Sequence, residues 1–168
     1  LVFNQSTLQS SRILMNISKT HGKAEILITK MNTDYSFSAL IKTNSNNIVG
    51  KYLYVGEVSA YVKSKTDDVY DLTLSNITVS NFINEYGIVP LPPYIEDDPK
   101  KYDKYHTDFS NGGFSVAAPT AGLHFTNNLI NSLSENGIIS RFINLDVGLG
   151  TFKPITNNDI SKHKIHIE

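Results

Sequence analysis

Residues 24–41 read AEILITKMNTDYSFSALI. Residues 24–30 are rich in β-branched side chains, and Tyr35, Phe37, Ala39 and Ile41 fall on one face at period two. Asn32-Thr33-Asp34 between the two runs suits a short hairpin loop. The same signature recurs outward. Residues 52–55, 57–62 and 69–74 are further strand candidates, with Lys65-Thr66-Asp67-Asp68 as the turn before the last. Several short strands at this spacing predict a small antiparallel β-barrel or sandwich over residues 12–79.

The pattern changes near residue 80. Residues 81–86 predict a short helix stopped by Gly87. Pro90-Leu91-Pro92-Pro93-Tyr94 lacks three backbone donors and reads as an extended linker. Residues 99–105 suit a helical turn, and Asn111-Gly112-Gly113 a loop. Thr126 is an N-cap, Leu129, Ile130 and Leu133 then share a helical face, and Gly137 is the stop. Residues 138–147 predict a strand, and Leu1-Val2-Phe3 a strand of the same unit. The expected architecture is therefore an α/β (α+β) domain built from residues 1–11 and 80–168. The 12–79 β-barrel is inserted in it.

The chain has 168 residues, a net charge of −1, 40% hydrophobic and 18% charged residues, enough to bury a core without staples. It has no cysteine, which excludes disulfides, thiolate metal sites and cysteine nucleophiles. No apolar run reaches the length of a transmembrane helix and no secretory signal opens the chain, so a soluble protein is expected. Residues 1–84 carry eight basic and six acidic side chains, net +2, and residues 85–168 seven and ten, net −3. Neither half has the excess that binds nucleic acid by charge alone. The two Arg against 13 Lys, with 17 Asn and 18 Ile, fit A/T-rich codons rather than chemistry. The opening at an apolar Leu1 and the close on an alternating stretch predict that both ends are cut from a longer polypeptide.

Three segments carry candidate chemistry. Residues 115–125, SVAAPTAGLHF, combine small residues, a stiffening Pro119, the imidazole of His124 and the ring of Phe125 just before a helix. Free N–H groups there could meet an anion or carboxylate; equally, the segment could be a tight packing corner. Gly148-Leu149-Gly150-Thr151-Phe152 follows a strand and permits close approach of a ligand, or forms a plain strand-end turn. His163, His166 and Glu168 suit acid–base work or hydrogen bonding better than a metal, because no third ligand is in view. Residues 102–109, with Tyr102, Tyr105 and Phe109, could stack bases or pack their rings inward.

These segments stand in a recognisable order: Pro90-Leu91-Pro92-Pro93-Tyr94-Ile95; Tyr105 and Thr107; residues 116–125; Val147-Gly148 with Gly150-Thr151-Phe152 and Pro154; then His163, His166 and Glu168. The set resembles the S-adenosylmethionine:tRNA ribosyltransferase-isomerase family of queuosine synthesis, over nearly the whole chain and most weakly across the β unit. The sequence departs from the family at Asp146, where a histidine is usual, at Leu149 between the glycines, and at His106 and Asp108.

The resemblance implies a transferase-isomerase. It moves the ribosyl part of S-adenosylmethionine onto 7-aminomethyl-7-deazaguanine in tRNA, giving epoxyqueuosine and releasing adenine and methionine. S-adenosylmethionine is the substrate, with no further cofactor and no metal. The expected setting is cytoplasmic and monomeric, with no membrane partner. His124, His163 and His166 are the implied catalytic bases. Tyr105, Thr107, Ala118, Pro119, Thr120, Gly122, Phe125, Gly148, Gly150, Thr151, Phe152 and Glu168 are the implied substrate-binding positions. A non-catalytic tRNA-binding fragment would instead bind tRNA without releasing adenine, and an inactive remnant would do neither.

Overall fold

The computed structural model describes residues 1–18, 22–90, 99–148, 151 and 161. In chain order the strands are β1 (Val2–Asn4), β2 (Arg12–Ile17), β3 (Lys23–Thr33), β4 (Ser36–Thr43), β5 (Tyr52–Val55), β6 (Val58–Thr66), β7 (Val69–Leu74) and β8 (Arg141–Ile143). The α-helices are α1 (Val79–Tyr86) and α2 (Asn127–Glu135). The chain divides into two compact units: Ser10–Pro90, and Leu1–Gln9 with Leu91–Glu168.

The Ser10–Pro90 unit is a closed antiparallel barrel in the order β2-β3-β4-β7-β6-β5. Alternation drives it. Ile13, Ile26, Ile28, Phe37, Ala39, Leu53, Ala60 and Val62 point inward and are fully buried, while their chain neighbours face out. Closure leaves no barrel edge unpaired. Two-residue loops close the β5–β6 and β6–β7 hairpins. Gly56 (φ 53°) opens the loop between the paired Val55 and Val58, and Asp67 (φ 53°) that between Thr66 and Val69.

The β3–β4 loop corrects one expectation. Thr33 pairs with Ser36, so the turn is Asp34-Tyr35, and Tyr35 stands exposed rather than in line with Phe37 and Ala39. Register shifts at Ile28/Lys30 and Met31/Thr33 move the turn along the chain. Ile41 is half-buried.

Helix α1 belongs to the barrel unit. Its N-cap Thr78 accepts the Asn81 N–H at 3.3 Å, and its apolar side buries Val79, Phe82 and Ile83. The Phe82 ring stacks on Phe37 at 6.1 Å. The division between units thus falls after Pro90, not at residue 79, because α1 spends its apolar face on the barrel. Gly87 ends the helix in extended backbone, with φ −74° and ψ 140°. A Cβ there would run into the backbone carbonyls of Ser10 and Ile83, so close approach rather than left-handed geometry demands glycine.

The other unit pairs β1 with β8 in parallel, Val2 opposite Arg141, Phe3 opposite Phe142 and Asn4 opposite Ile143. The strand expected over residues 138–147 is only Arg141–Ile143 here. Beyond Ile143 the Asn4 side chain takes over from the backbone ladder. Its Nδ2 donates to the Leu145 carbonyl (2.9 Å) and its Oδ1 accepts the Leu145 N–H (3.0 Å). A 3-10 helix spans Pro99–Tyr105, and a 3-10 turn Thr120–Gly122.

Thr126 caps α2 by accepting the Leu129 N–H, and Gly137 follows the helix at φ +80°. No residue of α2 is buried, and Leu129 on its expected apolar face is exposed. The core of this unit is an aromatic cluster. Phe3 meets Phe109, Phe125 and Phe142 with ring centroids at 5.1, 4.8 and 5.7 Å, and Phe109 meets Phe142 at 5.5 Å.

Candidate functional site

Segment 115–125 is anchored at its start by a buried serine. The Ser115 N–H donates to the Thr7 carbonyl, and its own carbonyl accepts the Gln9 N–H (3.1 and 3.0 Å). Ser115 Oγ donates to the Ala117 carbonyl at 2.7 Å and accepts the Val147 N–H at 3.1 Å, while the Val116 N–H donates to the Val147 carbonyl at 2.9 Å. One residue, through its backbone and its hydroxyl, thereby ties the chain start, this segment and Val147 together. Ser6, also fully buried, donates from Oγ to the Leu145 carbonyl at 2.9 Å.

The chain then turns tightly. The N–H groups of Thr120, Gly122, Leu123 and Phe125 donate to the carbonyls of Ala118, Pro119, Thr120 and Gly122. At the start of α2, the Asn127 N–H donates to Asp108 Oδ2 at 3.1 Å and the Leu129 N–H to Thr126 Oγ1. These donors are spent inside the protein, so the expected row of free N–H groups is not found at these positions. Asp108 supplies the negative charge that a helix N-terminus favours.

Beside the turn lies an open cleft of about 500 Å³. Leu1 to Asn4 form one wall, and Ala118 to Gly122 with Phe125 the other. The structure thus brings Ala118, Pro119, Thr120, Gly122 and Phe125 together. Small side chains on that wall leave its backbone close to the cavity. Gly122 differs from its neighbours. A Cβ on it would stand 2.9 Å from Phe109 Cζ and 3.2 Å from Thr107 Cγ2, so its missing side chain makes room for the aromatic core. Thr107 is buried, with Oγ1 and Ser110 Oγ sharing a hydrogen bond of 3.0 Å.

Other expected site residues lie elsewhere. His124 follows the turn, exposed, and does not line the cleft. Tyr105, half-buried, ends the 3-10 helix, and Gly148 is half-buried. Thr151 is exposed. Gly150, Phe152, His163, His166, Glu168 and the linker prolines after Pro90 lie outside the described residues. Among the described residues no cluster of His, Asp and Glu could hold a metal, and no helix is long and apolar enough to cross a membrane.

Sequence reasoning missed the wall formed by Leu1 to Asn4 and the role of Asp146. Asp146 Oδ1 is buried without a hydrogen-bond partner, in the space that a side chain at Gly113 would need. The sequence shows only the Gly112-Gly113 pair, whose φ values of 76° and 81° need glycine; that Asp146 lies over Gly113 is long-range.

Comparison with known proteins joins these observations. The S-adenosylmethionine:tRNA ribosyltransferase-isomerase of Francisella tularensis subsp. tularensis (strain FSC 198) is 38% identical over 172 residues, covering 100% of this chain and 50% of that protein. The protein of the same name from Sulfurihydrogenibium sp. (strain YO3AOP1) is 37% identical over 176 residues, covering 100% and 51%. The chain thus spans about half the length of the curated relatives it matches. The crystal structure of an S-adenosylmethionine tRNA ribosyltransferase from Thermotoga maritima superposes with a TM-score of 0.41 at 22% identity, over 87% of this chain and 40% of that one. The family model described as "Queuosine biosynthesis protein" matches residues 1–168, and the chain belongs to that family.

Proposed function

We propose that these residues form part of an enzyme that transfers and isomerises the ribosyl moiety of S-adenosylmethionine onto 7-aminomethyl-7-deazaguanine in tRNA. The products are epoxyqueuosine-tRNA, adenine and methionine. The observation that carries this reading is the match along the whole chain, at 37–38% identity, to relatives named for that activity. S-adenosylmethionine serves as substrate, tRNA as the partner, and no dissociable cofactor takes part. The enzyme works as a monomer in the cytoplasm, where its tRNA is.

The chemistry suits the residues. A sulfonium acidifies the carbon beside it, and a base must remove that proton. His124, exposed after the turn, is the described candidate; His163 and His166 are the others. The small wall from Ala118 to Gly122 would let backbone groups reach the ribose or methionine part, and Phe125 would offer an aromatic face to the sulfonium. Gly148 and Gly150 with Thr151 and Phe152, Tyr105 and Thr107, and Glu168 complete the proposed binding set.

A second reading, a non-catalytic remnant, is favoured by Asp146, whose Oδ1 lies buried and unpaired where the family resemblance places a histidine. Adenine release separates the two. The chain is joined to the half of the Francisella tularensis relative that it does not span, then given S-adenosylmethionine and precursor tRNA. Adenine should appear only when both substrates are present, and none at all would sink the enzymatic reading. A base among the three histidines should cost about 10²–10⁴-fold in turnover when changed to Ala. Unchanged turnover in His124→Ala, His163→Ala and His166→Ala would remove the assignment.

A further inference from the structure

The register of β1 and β8 sorts their side chains onto two faces. Phe3 and Phe142, opposite one another, share one face, where the rings of Phe109 and Phe125 bury Phe3 and Phe109 covers part of Phe142, which stays 40% exposed. Val2 with Arg141, and Asn4 with Ile143, take the other. That second face is open: Val2 is 67% exposed and Ile143 48%. Ile139 and Leu145, on either side of β8, are 65% and 39% exposed. Helix α2 repeats the pattern, because none of its residues is buried although Leu129, Ile130 and Leu133 lie on one side.

Such a surface is not self-sufficient. Parallel strands occur almost only in sheets covered on both faces, and a lone pair of strands is marginal in water. Clustered exposed apolar side chains mark a surface that meets something. The occupant follows from length: the curated relatives contain about as much polypeptide again as this chain spans. We infer that an apolar segment from that other half of the family's polypeptide covers the face made by Val2, Ile143 and Leu145. Val2 also lines the cleft beside Ala118 to Gly122, so the covering segment lies at the rim of the candidate site. The inference rests on family membership and not on the proposed activity.

Thiol labelling tests it, because the chain has no cysteine of its own. Val2→Cys, Ile143→Cys and Tyr52→Cys, the last on the outer barrel wall, are introduced singly. Each is made in the 168-residue chain and in the chain joined to a cysteine-free version of the relative's other half. In the chain alone all three should react at similar rates. In the joined protein the first two should slow about tenfold, as burial does to a thiol, while Tyr52→Cys is unchanged. Equal rates in both proteins would overturn the inference. So would protection already present in the short chain: a second copy covers the face if that protection depends on concentration, and the chain's own remaining residues do if it does not.

A second measurement needs no joined protein. The 168-residue chain should bind an apolar-surface dye, and Val2→Ser with Ile143→Ser should remove most of the signal. Absence of dye binding, or an undiminished signal in the double variant, would also overturn the inference.

Discussion

The Asn4 side chain pairs with the Leu145 backbone in both directions, donating from Nδ2 at 2.9 Å and accepting at Oδ1 at 3.0 Å. The same Oδ1 accepts the Ser6 N–H at 3.1 Å. A side-chain amide here does what a further rung of parallel ladder would do. It holds residues 145–147 beside the chain start, and with them the Ser115 anchor. Asn4→Asp keeps the acceptor and loses the donor, while Asn4→Leu loses both. Each net hydrogen bond is worth about 1 kcal/mol, so Asn4→Leu, which loses all three, should cost about 3 kcal/mol and Asn4→Asp, which loses one, about 1 kcal/mol. Denaturant unfolding measures the loss, and faster hydrogen exchange at the Leu145 amide localises it.

Gly122 and Phe109 occupy one space. Gly122→Ala puts a methyl 2.9 Å from Phe109 Cζ and should destabilise by about 1–3 kcal/mol through overpacking. Phe109→Leu removes the opposing ring edge, so the pair Gly122→Ala/Phe109→Leu should cost less than the sum of the single changes. A double-mutant cycle in urea gives the coupling; strict additivity would show that the glycine is not there for the ring.

The barrel was legible because its signal is local. Alternation at Ile26, Ile28, Phe37 and Ala39 sets the inward face whatever lies far along the chain. The exact turn was not, because the register shifts around Lys30 and Met31 depend on the β4 partner. Helix α1 was visible as a helix, yet its allegiance was not: long-range contacts such as Phe82–Phe37 and the Val79 N–H to the Asp34 carbonyl assign it to the barrel. In the other unit the caps at Thr126 and Gly137 read directly from residue type. The short β8 did not, since its length is set by the three residues of β1 and by an asparagine side chain about 140 residues away. At the candidate site, residue type pointed to segment 115–125, but not to Leu1 through Asn4 as its facing wall, which is purely long-range.

Two glycines of the barrel unit should respond differently to alanine. At Gly87 a Cβ meets the Ser10 and Ile83 carbonyls, neither of which can move without breaking α1 or the Arg12–Ile88 bridge. Gly87→Ala should cost roughly 3 kcal/mol, at the top of the overpacking range. At Gly50 there is open space but φ is +79°, so Gly50→Ala should cost only about 1–2 kcal/mol of backbone strain. Thermal melts of the two variants should therefore separate clearly. Equal shifts would mean that steric conflict at Gly87 is relieved by backbone movement.

The carboxyl of Asp146 is the clearest place where a substitution should help. Oδ1 is buried without a partner, and an unsatisfied buried acceptor costs about 1–3 kcal/mol. Its backbone neighbours are already secured: Val147 exchanges bonds with Ser115 Oγ and the Val116 N–H, and Leu145 with Asn4. Removing the side chain therefore breaks no bond made through Oδ1. Asp146→Ala should leave stability unchanged or raise it by about 1 kcal/mol, since the desolvation penalty it removes exceeds the small packing contribution of the side chain. Asp146→Asn keeps the shape and most of the penalty, and should stay near the parent. A fall in unfolding free energy of more than about 1 kcal/mol in Asp146→Ala would overturn this reading, because it would mean that the side chain contributes more favourable contact than its desolvation costs.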